Sequence, residues 1–238
     1  MDLNILIVSA HPDDLETGMG GTAQLLARAG HHIVSVVTHL PKDEVLAEKR
    51  RQESLAAHTV LGLQPPRFFG QEESNPLFNN DAREAFARLA SEIRPDVVFT
   101  HWPVDVNPDH KATAAFSMDP FLQRGVNTEL FCYEVFSELG RPQSLGFYPT
   151  HYTDISQRTV FDIKRMSVEF HKSQGIKKLW EGNLGMQKVR GKEIDLPQAE
   201  AFVRLTRYGS LNEELQKILL PTLYKLPNGM GVHVFTGK

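Results

Sequence analysis

Ser9-Ala10-His11-Pro12-Asp13-Asp14-Leu15-Glu16-Thr17-Gly18-Met19-Gly20-Gly21-Thr22 decides the reading of this chain. The apolar run at residues 5–8 predicts a buried strand, and residues 23–29 predict a helix. The histidine and the two carboxylates therefore fall on the loop that leaves the C-terminal end of a strand. In open α/β sheets that edge is where ligands bind. A histidine, a proline that stiffens the turn and two adjacent aspartates would make a poor core and suit a metal ion.

Outward from that loop, strands and helices alternate. Helices are predicted over 18–29, stopped by Gly30, and over 43–61, stopped by Gly62. Strands are predicted at 4–9, 32–38, 67–69 and 97–100. A helix N-capped by Asp81 runs to 93 and is broken by Pro95. Residues 101–109 form a second irregular loop after a strand. A helix starting near Pro108, a strand at 130–136, an extended piece at 152–155 and a helix capped by Ser156 follow. The tail after Ser173 is less regular, with helices at 197–207 and 212–219 and an edge strand at 229–234. This order predicts an α/β fold: a mostly parallel sheet with helices on both faces. Residues 1–238 are read as one domain, with a core over 1–136 and a segment over 137–238 that caps or lines the site.

The composition, 41% hydrophobic and 23% charged, is that of a globular protein. A net charge of −3 gives no electrostatic reason to expect nucleic acid or an anionic membrane as partner. No apolar run approaches spanning length, and no signal peptide is read at the N-terminus. The single Cys132 excludes an internal disulfide and a multi-cysteine zinc site and fits a cytoplasmic setting. With 10 histidines, any metal here uses imidazole and carboxylate ligands.

Two loops carry the chemistry: His11-Pro12-Asp13-Asp14 and Asn107-Pro108-Asp109-His110. Each follows a strand of the proposed parallel sheet, so both lie at one edge and can converge. Two histidines and one aspartate suit zinc, with positions left open for water. Asp13 and Asp14 divide the work, one as ligand and the other as base toward the water. The residues alone do not say which does which. Taken singly, each stretch is also explained by a capped turn or by Asp109 N-capping a helix. The pair at matching topological positions is the more specific signal.

Ala10-His11-Pro12-Asp13-Asp14 with Gly20-Gly21-Thr22 resembles the signature of the PIG-L (LmbE-like) de-N-acetylases. Glu48, Arg51, Glu53 and Leu61-Gly62 resemble that family's second helix. Arg94-Pro95-Asp96-Val97-Val98 leads to its second metal motif, and Asp154-Ile155-Ser156, Lys164 and His171-Lys172-Ser173-Gln174 are similar to its later segment. Arg190-Gly191 and Ala199-Glu200-Ala201-Phe202 match its C-terminal landmark, so the resemblance runs over about 4–207. It implies a Rossmann-like three-layer sandwich with a C-terminal extension lining the site. The implied activity is zinc-dependent hydrolysis of the N-acetyl group of an N-acetylglucosamine-type amino sugar conjugate. Another divalent ion such as Fe2+ would fit the same ligands. The resemblance assigns His11, Asp14 and His110 to the metal and Asp13 as general base. The partner is a small amino-sugar substrate, and a homo-oligomer is left open.

One departure bears on the mechanism. The family often has a histidine three residues before the last ligand, where this chain has Asn107. An asparagine amide donates a hydrogen bond to an oxyanion but is no general acid at neutral pH. Either Asp13 returns the proton it took, or His101 or His171 supplies one, with Asp109 orienting one of them. Glu16 is read as supporting the site or meeting a substrate hydroxyl. The alternatives kept open are a metal-dependent amidohydrolase of a non-sugar N-acyl substrate and a catalytically weak sugar-binding relative.

The remaining conspicuous residues have plainer readings. Gly18-Met19-Gly20-Gly21 lacks dinucleotide-binding spacing and reads as tight turning and close helix packing. Arg51 and Glu53 read as surface or sheet-edge ion pairs, with Arg51 also a candidate to reach a sugar or phosphate. His31, His32, His39 and His58 read as ordinary polar positions. His151 and Tyr152 near a strand end, and Trp102 beside the second motif, are placed between core, rim and site. Specificity is assigned to loops such as 71–80 and 137–148.

Overall fold

Ile5, Leu6, Ile7 and Val8 are all fully buried. Ile5 and Ile7 enter one apolar cluster, and Leu6 and Val8 the other. A strand covered on both faces is what a continuous apolar run requires. The computed structural model describes residues 2–75, 80–122, 127–136, 146–205 and 212–221.

The strands are β1 (Asn4–Ser9), β2 (His32–Leu40), β3 (Arg67–Glu72), β4 (Val97–His101), β5 (Glu129–Tyr133), β6 (His151–Asp154), β7 (Ala199–Arg204) and β8 (Leu220–Pro221). They form one sheet in the order β3-β2-β1-β4-β5-β7-β6-β8. The first five are parallel, with Ile7 opposite both Ser35 and Phe99. β7 pairs antiparallel with β5, putting Val203 opposite Cys132, and β6 and β8 continue antiparallel. The segment after residue 136 thus extends the same sheet.

The helices are α1 (Asp14–Arg28), α2 (Glu44–Leu61), α3 (Asn80–Ile93), α4 (Pro108–Met118), α5 (Arg158–Glu169), α6 (Ile176–Lys192) and α7 (Glu213–Gln216). Leu15, Met19, Ala23 and Leu26 of α1 and Leu61 of α2 fill one face of the sheet. Phe86 and Ala90 of α3 and Ala114 and Phe116 of α4 fill the other. The result is a three-layer, Rossmann-like α/β sandwich. Connections from β1 and β4 leave to opposite faces, so the crevice between their C-terminal ends is the topological switch point.

Local rules account for most ends. Asp43 caps α2 by accepting from the Leu46 N–H at 2.8 Å, and Gly62 ends it at φ 75°. Asn107 caps α4, with Pro108 at its first position. Several expectations need correction. α1 begins at Asp14 rather than residue 18, because the motif loop itself turns into the helix. α3 starts at Asn80, leaving Asp81 inside its first turn. Ser156 does not cap α5; its hydroxyl donates to the Gln198 carbonyl at 3.2 Å. Residues 199–204 are a strand, not a helix. Their helix-forming alanines and glutamate are overruled by pairing with β5 and β6 on either side. The 17-residue α6 was not foreseen. Its glycines lower helix propensity, yet a Cβ on Gly182 would lie 2.3 Å from the Phe136 ring, so glycine is what lets α6 pack there. The edge strand expected at 229–234 lies outside the described residues.

Candidate metal centre and active site

Both motif loops arrive at the switch point. The first is closed on itself: the His11 N–H donates to Asp14 Oδ2 at 2.7 Å. The second is fixed by the Asn107 cap, whose Oδ1 accepts from the Asp109 N–H at 2.8 Å. Together they bring His11, Asp14 and His110 into one group of metal-binding atoms.

The tautomers of the two imidazoles can be argued from their outer partners. His11 Nε2 lies 2.9 Å from Asp109 Oδ2, and His110 Nδ1 lies 3.1 Å from Asp105 Oδ2. Each carboxylate takes the outer N–H, leaving a lone pair on the inner nitrogen. His11 Nδ1 and His110 Nε2 then face each other at 3.3 Å. Each is 3.4 Å from an oxygen of Asp14. The lone pairs of two imidazoles and a carboxylate, crowded together, form a hole for a cation. Tetrahedral zinc, with bonds of about 2.0–2.1 Å, places its ligands about 3.3–3.5 Å apart, so the residues present fit the ion. The field at these rings points the same way. Burial lowers the affinity of His11 for a proton, but Asp109 and Asp14 outweigh it and push the pKa up to about 10.

Asp13 lies beside this hole. It is 9% exposed and holds φ 128°, an unusual conformation for a residue with a side chain. It precedes α1, yet its carboxylate does not cap the helix. Burial, followed by the negative charge of Asp14, raises its pKa to about 7, while His171 opposes the shift.

His101 stacks on His110 with ring centroids 4.1 Å apart. Its Nε2 accepts from the Ala10 N–H at 2.8 Å, so that atom has no proton to give. Burial, followed by His110, pushes its pKa down to about 4. The ring thus lies under the His11–Asp14–His110 group with Nε2 already engaged. Asp109 orients His11, not His101 or His171, and its Oδ2 also accepts from the Ser74 N–H at 2.9 Å.

His171 is fully buried, with Nε2 3.4 Å from Glu16 Oε2. Burial lowers its pKa, but the charges of Glu16 and Asp13 outweigh this and raise it. Glu16 lies between His171 and His58, whose Nδ1 is 3.2 Å from Oε1. It therefore supports the site from within, through both imidazoles.

An open cavity of about 350 Å³ leads to the site, lined by His11, Arg50, Glu73, Asn107, Asp109 and Gln174 among others. Arg50 pairs with Glu73 across this cavity, whereas Arg51 meets Glu44 and Glu48 on the surface. Sequence reasoning singled out Arg51 and missed Arg50. Arg50 shares the packed face of α2 with buried Ser54 and Ala57, four and seven residues on, and that burial is seen only in the structure. Glu53 is no surface ion pair. Its carboxylate accepts from the Ser173 N–H at 3.0 Å and hydroxyl at 2.6 Å, holding the short 3-10 turn Lys172–Gln174. That turn sends the Gln174 amide to the Pro12 carbonyl. His39, 6.1 Å from the His11 ring, and His58 also lie under the site. His151 packs edge-on to Phe131, Trp102 edge-on to Phe147, and the Tyr152 hydroxyl donates to Glu193, so none of these three lines the cavity. Cys132 is fully buried within β5.

The fold and the cluster define a Rossmann-like α/β protein with a candidate metal centre at the switch point of its sheet. Residues 6–120 match the family profile PIG-L, described as GlcNAc-PI de-N-acetylase. Diacetylchitobiose deacetylase of Thermococcus kodakarensis is 25% identical over 194 residues, which cover 74% of this chain and 72% of that protein. Among solved structures, N,N'-diacetylchitobiose deacetylase from Pyrococcus horikoshii superposes with a TM-score of 0.70 at 20% identity, over 84% of this chain and 83% of that one. GalB, the 4-carboxy-2-hydroxymuconate hydratase from Pseudomonas putida, also gives 0.70 at 20%, over 87% and 98%. A deacetylase and a hydratase share this fold, so the fold by itself leaves the reaction open.

Proposed function

We propose that this chain is a metal-dependent hydrolase that removes the N-acetyl group from an N-acetylglucosamine-type amino sugar conjugate. The observation that carries the reading is the convergence of three inward lone pairs, on His11, Asp14 and His110, with the Asp13 carboxylate beside them. The family and the deacetylase activity of its named relatives support the substrate class.

Zinc held by His11, Asp14 and His110 would supply a Lewis acid that polarises the acyl carbonyl and makes water acidic. Asp13, with its proton affinity raised to near neutrality, takes the proton of the attacking water. Asp109 and Asp105 hold the imidazole tautomers that keep lone pairs inward. The Asn107 Oδ1 is committed to its helix, so its Nδ2–H2 faces the cavity and donates to the developing oxyanion. His171, whose proton affinity Glu16 raises, gives a proton to the departing amine, the task Asn107 has no proton for. Arg50, Glu73 and Gln174 offer donors and acceptors to sugar hydroxyls.

Elemental analysis paired with an amine-release assay over N-acetylglucosaminides of varied aglycone tests the reading. One zinc per chain and release of acetate with free amine are expected. A zinc-loaded protein inert on every N-acetylglucosaminide but active on a non-sugar N-acyl compound would replace the sugar substrate. Asp13→Ala is expected to keep its zinc and lose turnover; activity in that variant sinks the base assignment. His110→Ala is expected to lose zinc, and undiminished metal content would refute its role as ligand.

A further inference from the structure

Helix α1 is broken at Met19, which has φ −144° and ψ 22°. In a regular helix the Gly21 N–H would donate to the Thr17 carbonyl. Here Thr17 O instead accepts from Lys164 Nζ at 2.8 Å, and the Gly21 N–H donates to Glu200 Oε1 at 2.9 Å. Lys164 Nζ and Glu200 Oε1 are themselves 2.5 Å apart. A whole ion pair is thus inserted where one helix hydrogen bond would be. Glu200 also takes the Thr22 N–H at 2.7 Å and the Thr22 hydroxyl at 2.5 Å, capping the second half of α1. Both charged side chains are fully buried. Two glycines around the break, Gly18 and Gly21, make room for the packing there. A Cβ on Gly21 would lie 2.6 Å from Ile155 and 3.2 Å from Glu200, and one on Gly18 would lie 2.6 Å from the Tyr133 ring.

A buried pair of this kind is a weak source of stability, because both ions lose their hydration. A side chain inserted into the hydrogen-bond ladder does bend a helix. The half of α1 ahead of the break carries Asp14 and Glu16 and continues directly from Asp13. Lys164 comes from α5 and Glu200 from β7, both in the last third of the chain. We infer that the Lys164–Glu200 pair is a clip that splits α1 and sets the Asp13–Asp14 turn to the geometry of the metal group. Both are positioning residues, acting through the helix without touching the substrate. This role rests on the reading of His11, Asp14 and His110 as ligands.

The test uses the full chain, stripped and reloaded with Co2+, whose visible spectrum reports ligand geometry. Lys164→Met/Glu200→Met removes both charges together and lets the Gly21–Thr17 hydrogen bond re-form. It is expected to weaken Co2+ about tenfold to a hundredfold, the scale of losing an outer support of a ligand, and to alter the spectrum. Should that variant not fold, Lys164→Met/Glu200→Gln keeps an acceptor for the Gly21 and Thr22 amides and carries the same expectation. Phe86→Leu, in the core on the opposite face of the sheet, serves as a destabilised control and is expected to bind Co2+ normally. A wild-type protein that takes up no stoichiometric Co2+ overturns the ligand reading and this role with it. A wild type that binds, with a double variant of equal Kd and spectrum, overturns the clip alone. An equal loss in Phe86→Leu at matched Tm also overturns it.

Discussion

Asp13 is held at φ 128° in a buried position next to a second carboxylate. Such a conformation costs on the order of 1–3 kcal/mol for a residue with a Cβ and little for glycine. Asp13→Gly is therefore expected to melt above Asp13→Ala, reversing the usual order of the two residues, with both variants inactive. Thermal unfolding of the pair checks this, and an alanine variant at least as stable would remove strain from the account. His171→Gln is expected to lower kcat about 10²–10⁴-fold, the ordinary contribution of a positioned acid or base, with zinc content unchanged. A His171→Gln enzyme at wild-type kcat would return the proton to Asp13 alone. At this scale the grouping of His11, Asp14 and His110 with Asp13 beside them was legible because their residue types and spacing are unusual. Arg50 and Glu53 were not, because only the packed face of α2 tells them from Arg51 and Glu48.

The helix that starts at Pro108 joins stability to chemistry through Asn107. Its Oδ1 caps the helix and its amide N–H2 is assigned to the oxyanion. Asn107→Asp keeps the acceptor and loses the donor, so it is expected to retain stability while slowing turnover. Asn107→Ala is expected to lose about 1 kcal/mol of stability as well. Chemical denaturation alongside kinetics separates the two jobs, and a fully active Asn107→Asp would deny the amide its role. In α1, Gly18→Ala should gain helix propensity but drives a Cβ into the Tyr133 ring at 2.6 Å. A loss of about 1–3 kcal/mol is expected, as for other overpacked sites. Elements with caps or apolar alternation, such as α2, α4 and β1, were readable. α6 and β7 were not, because the Phe136 contact decides the one and pairing with two strands decides the other.

Over the whole molecule, the late strands join the parallel sheet at a buried, titratable seam. His151, at the start of β6, is 7% exposed. Burial, followed by the charge of Arg204, pushes its pKa down from 6.5 to about 4. The unfolded chain therefore takes up a proton that the fold refuses. This contribution to stability is complete above pH 6.5 and is lost as pH falls toward 4. His151→Phe, which keeps a ring against Phe131, is expected to lose less Tm than wild type between pH 7.5 and 5. Parallel losses in the two proteins would show that the seam does not titrate. Chelation of the ion should lower Tm and re-addition restore it, since a ligand bound only by the folded state stabilises it.

The sequence by itself determined the strand–helix alternation, the two loops with their candidate ligands, and the parallel order that puts both loops at one edge. These follow from periodicity, caps and residue chemistry, which are local. Only the tertiary structure decided which nitrogen of each imidazole faces Asp14, since that depends on Asp109 and Asp105 across the site. It likewise decided that His101 stacks on His110 and that His171 is buried against Glu16. The break in α1 was beyond any local rule, because the partners that replace one hydrogen bond between Thr17 and Gly21 are Lys164 and Glu200, more than 140 residues further along the chain.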